Sequence, residues 1–191
     1  KEAGVSNPGG RGMSAVAADL NDDGWMDVYV ANDSMENYFY ENKGNGTFTD
    51  EALVLGLALG QNGQGVSSMG PAVADLDADG SLDIMIPDMD YGSLLSKKGG
   101  FYQDLVGRSG LGVILGQYTG WGAVLFDYDN DGYPDVFIAN GNAHHEYPED
   151  AVLARNNGKG VFVDVARESG EFFQTKWVSR GATWADFDDD G

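Results

Sequence analysis

Short apolar runs recur along the chain, each separated from the next by a cluster of Asp, Asn and Gly. Runs of this length, rich in β-branched and aromatic residues and bounded by turn formers, predict strands rather than helices. Four acidic clusters align: Asp19-Leu-Asn-Asp-Asp-Gly-Trp-Met-Asp27, Asp75-Leu-Asp-Ala-Asp-Gly-Ser-Leu-Asp83, Asp127-Tyr-Asp-Asn-Asp-Gly-Tyr-Pro-Asp135 and Asp186-Phe-Asp-Asp-Asp-Gly191. Their starts lie 56, 52 and 59 residues apart. A small-residue strand precedes each cluster, over 13–20, 69–76, 121–126 and 181–187. A β-branched or aromatic strand follows the first three, over 28–31, 84–86 and 136–139.

The remainder of each repeat is also patterned. The first has a strand over 37–42, the turn Lys43-Gly-Asn-Gly46 and a strand over 47–50. The third has 151–156, Asn157-Gly-Lys-Gly160 and 161–164, and the second keeps a degraded form with Lys97-Lys-Gly-Gly100 before Phe101. Asn and Gly supply the positive φ angles that tight hairpins need. Four short strands per repeat of this length is the pattern of an all-β fold made of four-stranded antiparallel β-propeller blades. Repeats are expected at about 13–68, 69–120 and 121–179, with a truncated one at 180–191. Three blades and a fraction do not close a ring, so the expectation is a fragment of a larger propeller. No long stretch has a helical period; only 50–57 and 163–169 suggest a helical turn.

Composition narrows the partners. The 42% hydrophobic content, with nine Tyr, nine Phe and four Trp, supports a packed core. A net charge of −20 repels phosphate backbones and anionic lipid, which argues against nucleic acid and membrane surfaces, and attracts cations. The longest apolar run, 52–60, is far too short to span a bilayer, so no membrane insertion is expected. Residues 1–10 have no signal-peptide character. The absence of Cys excludes disulfides and thiolate metal sites.

The acidic clusters carry the chemistry. The pattern Asp-x-Asp/Asn-x-Asp-Gly-x-x-Asp offers oxygen on alternate residues, with Gly allowing a sharp turn at the sixth. Such oxygen-only, carboxylate-rich loops favour Ca²⁺ over the smaller, strictly octahedral Mg²⁺. The expected ligands are Asp19, Asn21, Asp23 and Asp27 with the Trp25 carbonyl; Asp75, Asp77, Asp79 and Asp83 with that of Ser81; and Asp127, Asp129, Asp131 and Asp135 with that of Tyr133. The fourth cluster offers Asp186, Asp188 and Asp190. These are not EF-hands, because the twelfth position is Val30, Ile86 or Ile138 rather than Glu. Turn formation alone does not account for up to four carboxylates within nine residues, since like charges at close range repel.

With these residues in view, the chain resembles the FG-GAP/VCBS class of calcium-binding propeller repeats, and within it the cartilage-acidic-protein-like ASPIC/UnbV type. The motifs that carry the resemblance are Trp121-Gly-Ala-Val-Leu-Phe-Asp-Tyr-Asp-Asn-Asp-Gly132, Asp135-Val-Phe-Ile-Ala-Asn-Gly141 and Tyr40-Glu-Asn-Lys-Gly-Asn-Gly-Thr-Phe-Thr-Asp50. The resemblance implies a propeller, often of seven blades, with Ca²⁺ between the first two strands of a blade. It also implies a secreted or cell-surface protein acting in adhesion, matrix or polysaccharide contacts. The Gly-Ala-Pro that follows the loop in integrin-type repeats is replaced by Ala31-Asn-Asp-Ser34, Pro87-Asp-Met89 and Ala139-Asn-Gly141, which departs from integrin-like binding.

Other clusters are weaker. His144 and His145, with Glu146, Tyr147 and Asp150, fall in a loop, and adjacent residues on an extended chain point to opposite sides. Trp25, Tyr133, Trp121, Trp177 and Trp184 offer a sugar-stacking face, or, for Trp121 and Trp184, packing between blades. Lys97, Lys98 and Arg11 read as isolated bases, and no nucleophile triad or phosphate loop stands out. The reading is a non-catalytic calcium-binding module for a protein or glycan partner, or for self-assembly. The alternative is a lyase-like polysaccharide enzyme.

Overall fold

The computed structural model describes residues 2–143 and 147–187. It contains three four-stranded antiparallel sheets, each a simple meander. The first holds β1 (Gly12–Ala18), β2 (Asp27–Asn32), β3 (Tyr38–Asn42) and β4 (Phe48–Asp50). The second holds β5 (Ala72–Ala74), β6 (Asp83–Ile86), β7 (Ser93–Lys98) and β8 (Phe101–Asp104), and the third β9 (Gly120–Phe126), β10 (Asp135–Asn140), β11 (Val152–Asn156) and β12 (Phe162–Asp164). These are propeller blades.

The register repeats between blades. Val28 pairs with Tyr40, Ile84 with Leu95 and Val136 with Ala154, so each residue after the last loop acid holds the same place in its sheet. The inner strands of successive blades approach closely: the Gly70 N–H donates to the Trp121 carbonyl at 2.7 Å, and the Ala123 N–H to that of Gly70 at 3.0 Å. A Cβ on Gly70 would lie 2.9 Å from the Trp121 oxygen, so glycine is required for this approach.

Two cores fill the gaps between blades. Tyr29, Phe39 and Leu57 of the first blade and its connection meet Ile84, Ile86, Leu95 and Tyr102 of the second. The opposite face of the second blade, with Met85 and Leu94, meets Leu125, Val136, Ile138 and Phe162 of the third. Successive side chains on a strand point to opposite faces. All four residues of β6 are therefore buried, because its sheet is covered on both sides, whereas Val28 and Val30 on β2 stay part-exposed.

Short helices α1 (Ala52–Leu55) and α2 (Leu111–Leu115) lie between blades, and 3₁₀ turns span Ala166–Glu168 and Glu171–Gln174. The turns near 50–57 and 163–169 match expectation; α2 was not foreseen. The strand expected over 181–187 does not form. The segment packs along β9, where a Cβ on Gly122 would lie 3.0 Å from Gly181 and Ala182, but without the ladder of hydrogen bonds that makes a strand. Trp184 instead stacks on Phe126, with ring centres 5.8 Å apart.

Candidate metal sites

Each blade's first two strands are joined by one acidic loop, and the three loops share a backbone design. The first-position acid accepts two N–H groups. Asp19 takes those of Asp23 and Gly24 at 3.0 and 2.8 Å. Asp75 takes Asp79 and Gly80 at 3.1 and 2.9 Å, and Asp127 takes Asp131 and Gly132 at 3.0 and 2.7 Å. The fifth-position acids Asp23, Asp79 and Asp131 accept the N–H of Trp25, Ser81 and Tyr133 at 2.8, 3.0 and 3.0 Å. The chain turns through left-handed conformations at the fourth position (Asp22, Ala78, Asn130) and again at Gly24, Gly80 and Gly132. Adopting this conformation at Ala78 is costly, so the loop is built to one shape rather than left free.

The ninth-position acid begins the second strand and is buried. Asp27 and Asp135 are fully enclosed and Asp83 is 3% exposed. Each accepts the N–H of its loop's second residue, Leu20, Leu76 or Tyr128, at 3.1, 2.9 and 3.1 Å. Asp27 and Asp135 also accept an N–H from the third strand, Asn42 at 2.8 Å and Asn156 at 2.7 Å. One carboxylate thus joins the loop to two strands. Burial raises the pKa of all three, that of Asp83 to about 6. A buried anion disfavoured in this way is stabilised by a cation.

Carboxylate oxygens of Asp75, Asp77 and Asp83 lie within 4.8 Å of one another, as do those of Asp127, Asp129 and Asp135. The first loop has Asn21 at the third position of the same backbone, and its Nδ2 donates to Asp23 at 3.1 Å. Asp79 and Asp131, expected ligands, stand outside these triads. Asp186 is described and has a partner, while Asp188 and Asp190 of the fourth cluster lie outside the described residues. So do His144, His145 and Glu146.

One reading of the chain needs correction. Lys97 and Lys98 are not isolated bases. The Lys97 ammonium contacts Asp22 at 2.6 Å, and Lys98 contacts Asp77 at 2.8 Å and Asp79 at 2.6 Å. Hydrogen bonding from Asp77 and then Asp79 raises the Lys98 pKa, and the Lys98 hydrogen bond lowers that of Asp79. The acids come from loops about twenty and seventy-five residues earlier, the nearer brought in by the register of the second sheet and the farther by the packing of the first blade on the second. Beside the inner strands, Arg180 stacks 4.3 Å over Trp121, and its guanidinium donates to the carbonyls of Gly141, Ser179 and Asn142. Trp25 and Tyr133 sit against the turn glycines Gly44 and Gly158, although Trp25 remains 52% exposed.

The FG-GAP-like repeat model matches residues 19–86 and 127–191, more than half of the sequence. The chain belongs to the FG-GAP-like repeat family. Human cartilage acidic protein 1 is 26% identical over the whole chain, and the mouse protein 27%. The chain spans 28% and 29% of those relatives' length. A solved Agrocybe aegerita lectin, described as recognising non-reducing terminal N-acetylglucosamine, is similar with a TM-score of 0.42 and 22% identity, covering 78% of this chain and 36% of that one. The matched residues include all three complete loops, Asp19–Asp27, Asp75–Asp83 and Asp127–Asp135, and the first segment stops at Ile86, before the third and fourth strands of the second blade.

Proposed function

We propose that this FG-GAP-like chain is a calcium-binding β-propeller module of an extracellular protein, and that its cation-rigidified loops present a surface to a protein or glycan partner. The observation that carries the reading is the convergence of three carboxylates within 4.8 Å in two loops built alike. Calcium would be held by Asp19, Asn21, Asp23 and Asp27, by Asp75, Asp77, Asp79 and Asp83, and by Asp127, Asp129, Asp131 and Asp135, with the carbonyls of Trp25, Ser81 and Tyr133. Asp186, Asp188 and Asp190 would serve a fourth site. The ion supplies the positive charge that lets these carboxylates ionise together.

An extracellular setting is supported by the cartilage acidic protein relatives. Among the described residues no helix is long and apolar enough to cross a membrane. A lyase-like activity has less support: among the described residues Arg180 is the one ionisable side chain lining the hollow beside the inner strands, and a guanidinium does not act as a base near neutral pH. Calorimetric titration with calcium tests the reading. Asp135→Asn should remove one site, and Asp50→Asn, an equal charge change at an acid outside the loops, should remove none. Equal site counts in both variants would overturn the ligand assignment. Incubation with acidic and neutral polysaccharides, read for unsaturated products, separates binding from cleavage.

A further inference from the structure

The third strands of the three blades end differently. In register, Asn42, Lys97 and Asn156 are equivalent, and so are the residues that follow them: Lys43, Lys98 and Asn157. Lys43 pairs with Glu41 at 2.7 Å. Asn157 accepts N–H groups from its own hairpin, those of Lys159 and Val161. Lys98 alone reaches a loop, where its ammonium bridges the third- and fifth-position acids Asp77 and Asp79. The other Asp77 oxygen, Oδ1, is buried and has no hydrogen-bond partner, so the lysine satisfies only part of that carboxylate.

We infer that Lys98 is a built-in counter-ion of the second loop, so that this loop takes calcium only by displacing a lysine and binds it more weakly than the third. The inference rests on the calcium reading above. An ammonium is a compact, hydrated point charge on a flexible stem, suited to leaving when a divalent ion arrives. It cannot replace that ion fully, because it contributes one charge and donors only, where several oxygens need a central cation. The second loop carries four carboxylates, as the third does, but one of its charges is already cancelled. Ligand charge count tunes oxygen-loop affinity over several decades. The lysine therefore acts as an affinity-setting residue: it keeps the middle blade ordered when calcium is scarce and delays filling when calcium rises.

The test uses the whole chain titrated with calcium chloride by calorimetry, beside melting curves in EDTA. Wild type should fill the second loop at higher calcium than the third, with Asp83→Asn abolishing the second-loop site and Asp135→Asn the third. Lys98→Met should tighten the second-loop site by about tenfold, well within the range over which ligand charge and rigidity tune such loops. In EDTA the same variant should melt below wild type, so the effect reverses sign with calcium. Lys98→Arg keeps the charge and should keep the site weak; Lys43→Met should change neither measurement. Calcium sites whose affinities are all unmoved by Lys98→Met would overturn the inference while leaving the calcium reading standing. Absence of calcium binding in every variant would overturn that reading and this one with it.

Discussion

The first and third blades share a loop-end chemistry that the second lacks. In both, an aromatic at the seventh loop position, Trp25 or Tyr133, rests on the turn glycine of the β3–β4 or β11–β12 hairpin. In both, an Asn closing the third strand gives its N–H to the buried ninth-position acid and accepts the N–H of that glycine, Gly44 or Gly158. The second blade has Ser81, Lys97 and the pair Gly99-Gly100 in these places. Its ninth acid, Asp83, is hydrogen-bonded by Ser96 instead. Yet the backbone of the loop is unchanged. What the blades hold in common is the turn and its acids; what differs is how each loop is tied down and neutralised.

The largest effect that can break this comparison is removal of calcium. A ligand bound only by the folded state stabilises it by about 2.7 kcal/mol per site at a hundredfold excess over Kd. EDTA should therefore lower the melting temperature by more than about ten degrees, with a larger share carried by the third loop than by the second. A melting curve indifferent to EDTA would sink the proposal. Position in the stack comes next. Ile84 is fully buried between two sheets, and Ile84→Ala should cost about 2–5 kcal/mol. The register-equivalent Val28→Ala, on a part-exposed face, should cost about 1 kcal/mol or less, as measured by urea unfolding. Equal costs would mean that the middle blade is no better packed than the first.

Acidity separates the blades by a smaller margin. An acid whose folded pKa lies above its unfolded value holds its proton more tightly when folded. Asp83, raised to about 6 by burial, should thus cause metal-free protein to lose stability as pH rises through that interval. The loss is of order 3 kcal/mol, at about 1.4 kcal/mol for each pH unit between about 4 and about 6. Calcium reverses the sign, because ligation needs the ionised carboxylate and releases the proton. The difference between wild type and Asp83→Asn, in calcium-free urea titrations at pH about 4 and about 6, isolates this group from other carboxylates. No difference in slope between the two proteins would refute it.

Much of this was legible in the residues, and the reason is local. Hairpin turns, period-two apolar runs and the Asp-x-Asp-x-Asp-Gly spacing are all written within a few positions, so blades and loops follow directly. The short α2 escapes because Leu111, Ile114 and Leu115 span barely one turn, too few positions to show a period. Lys97 and Lys98 escape for a different reason. They read as a degraded hairpin turn, and only three-dimensional register shows that they face acids of two different loops. Segment 181–187 repeats the residues of an inner strand without forming one, because strand pattern does not supply the ladder of hydrogen bonds.

The smallest effect concerns the tie between neighbouring blades. In each pair, the carbonyl of the second loop residue of one blade accepts a donor from the end of the third strand of the next. Between the second and third blades the donor is Asn156 Nδ2, 2.7 Å from the Leu76 carbonyl, and the same group reaches Pro134 at 3.0 Å. Between the first and second it is Lys97 Nζ, 3.3 Å from the Leu20 carbonyl, where the Tyr102 hydroxyl also donates at 2.8 Å. The acceptor is kept and the donor chemistry is exchanged. Asn156 is 1% exposed, so Asn156→Ala strips a donor from two carbonyls in a dry site and should cost about 1–3 kcal/mol. Lys97→Ala leaves the Leu20 carbonyl with Tyr102, and its ion pair is with the half-exposed Asp22, so its cost should stay within about 1 kcal/mol. Both should be measured by urea unfolding in saturating calcium, which removes loop occupancy as a variable. If Lys97→Ala proved as costly as Asn156→Ala, the Tyr102 hydroxyl would not be compensating. The two blade junctions would then depend equally on their third-strand donors, despite the different residues that provide them.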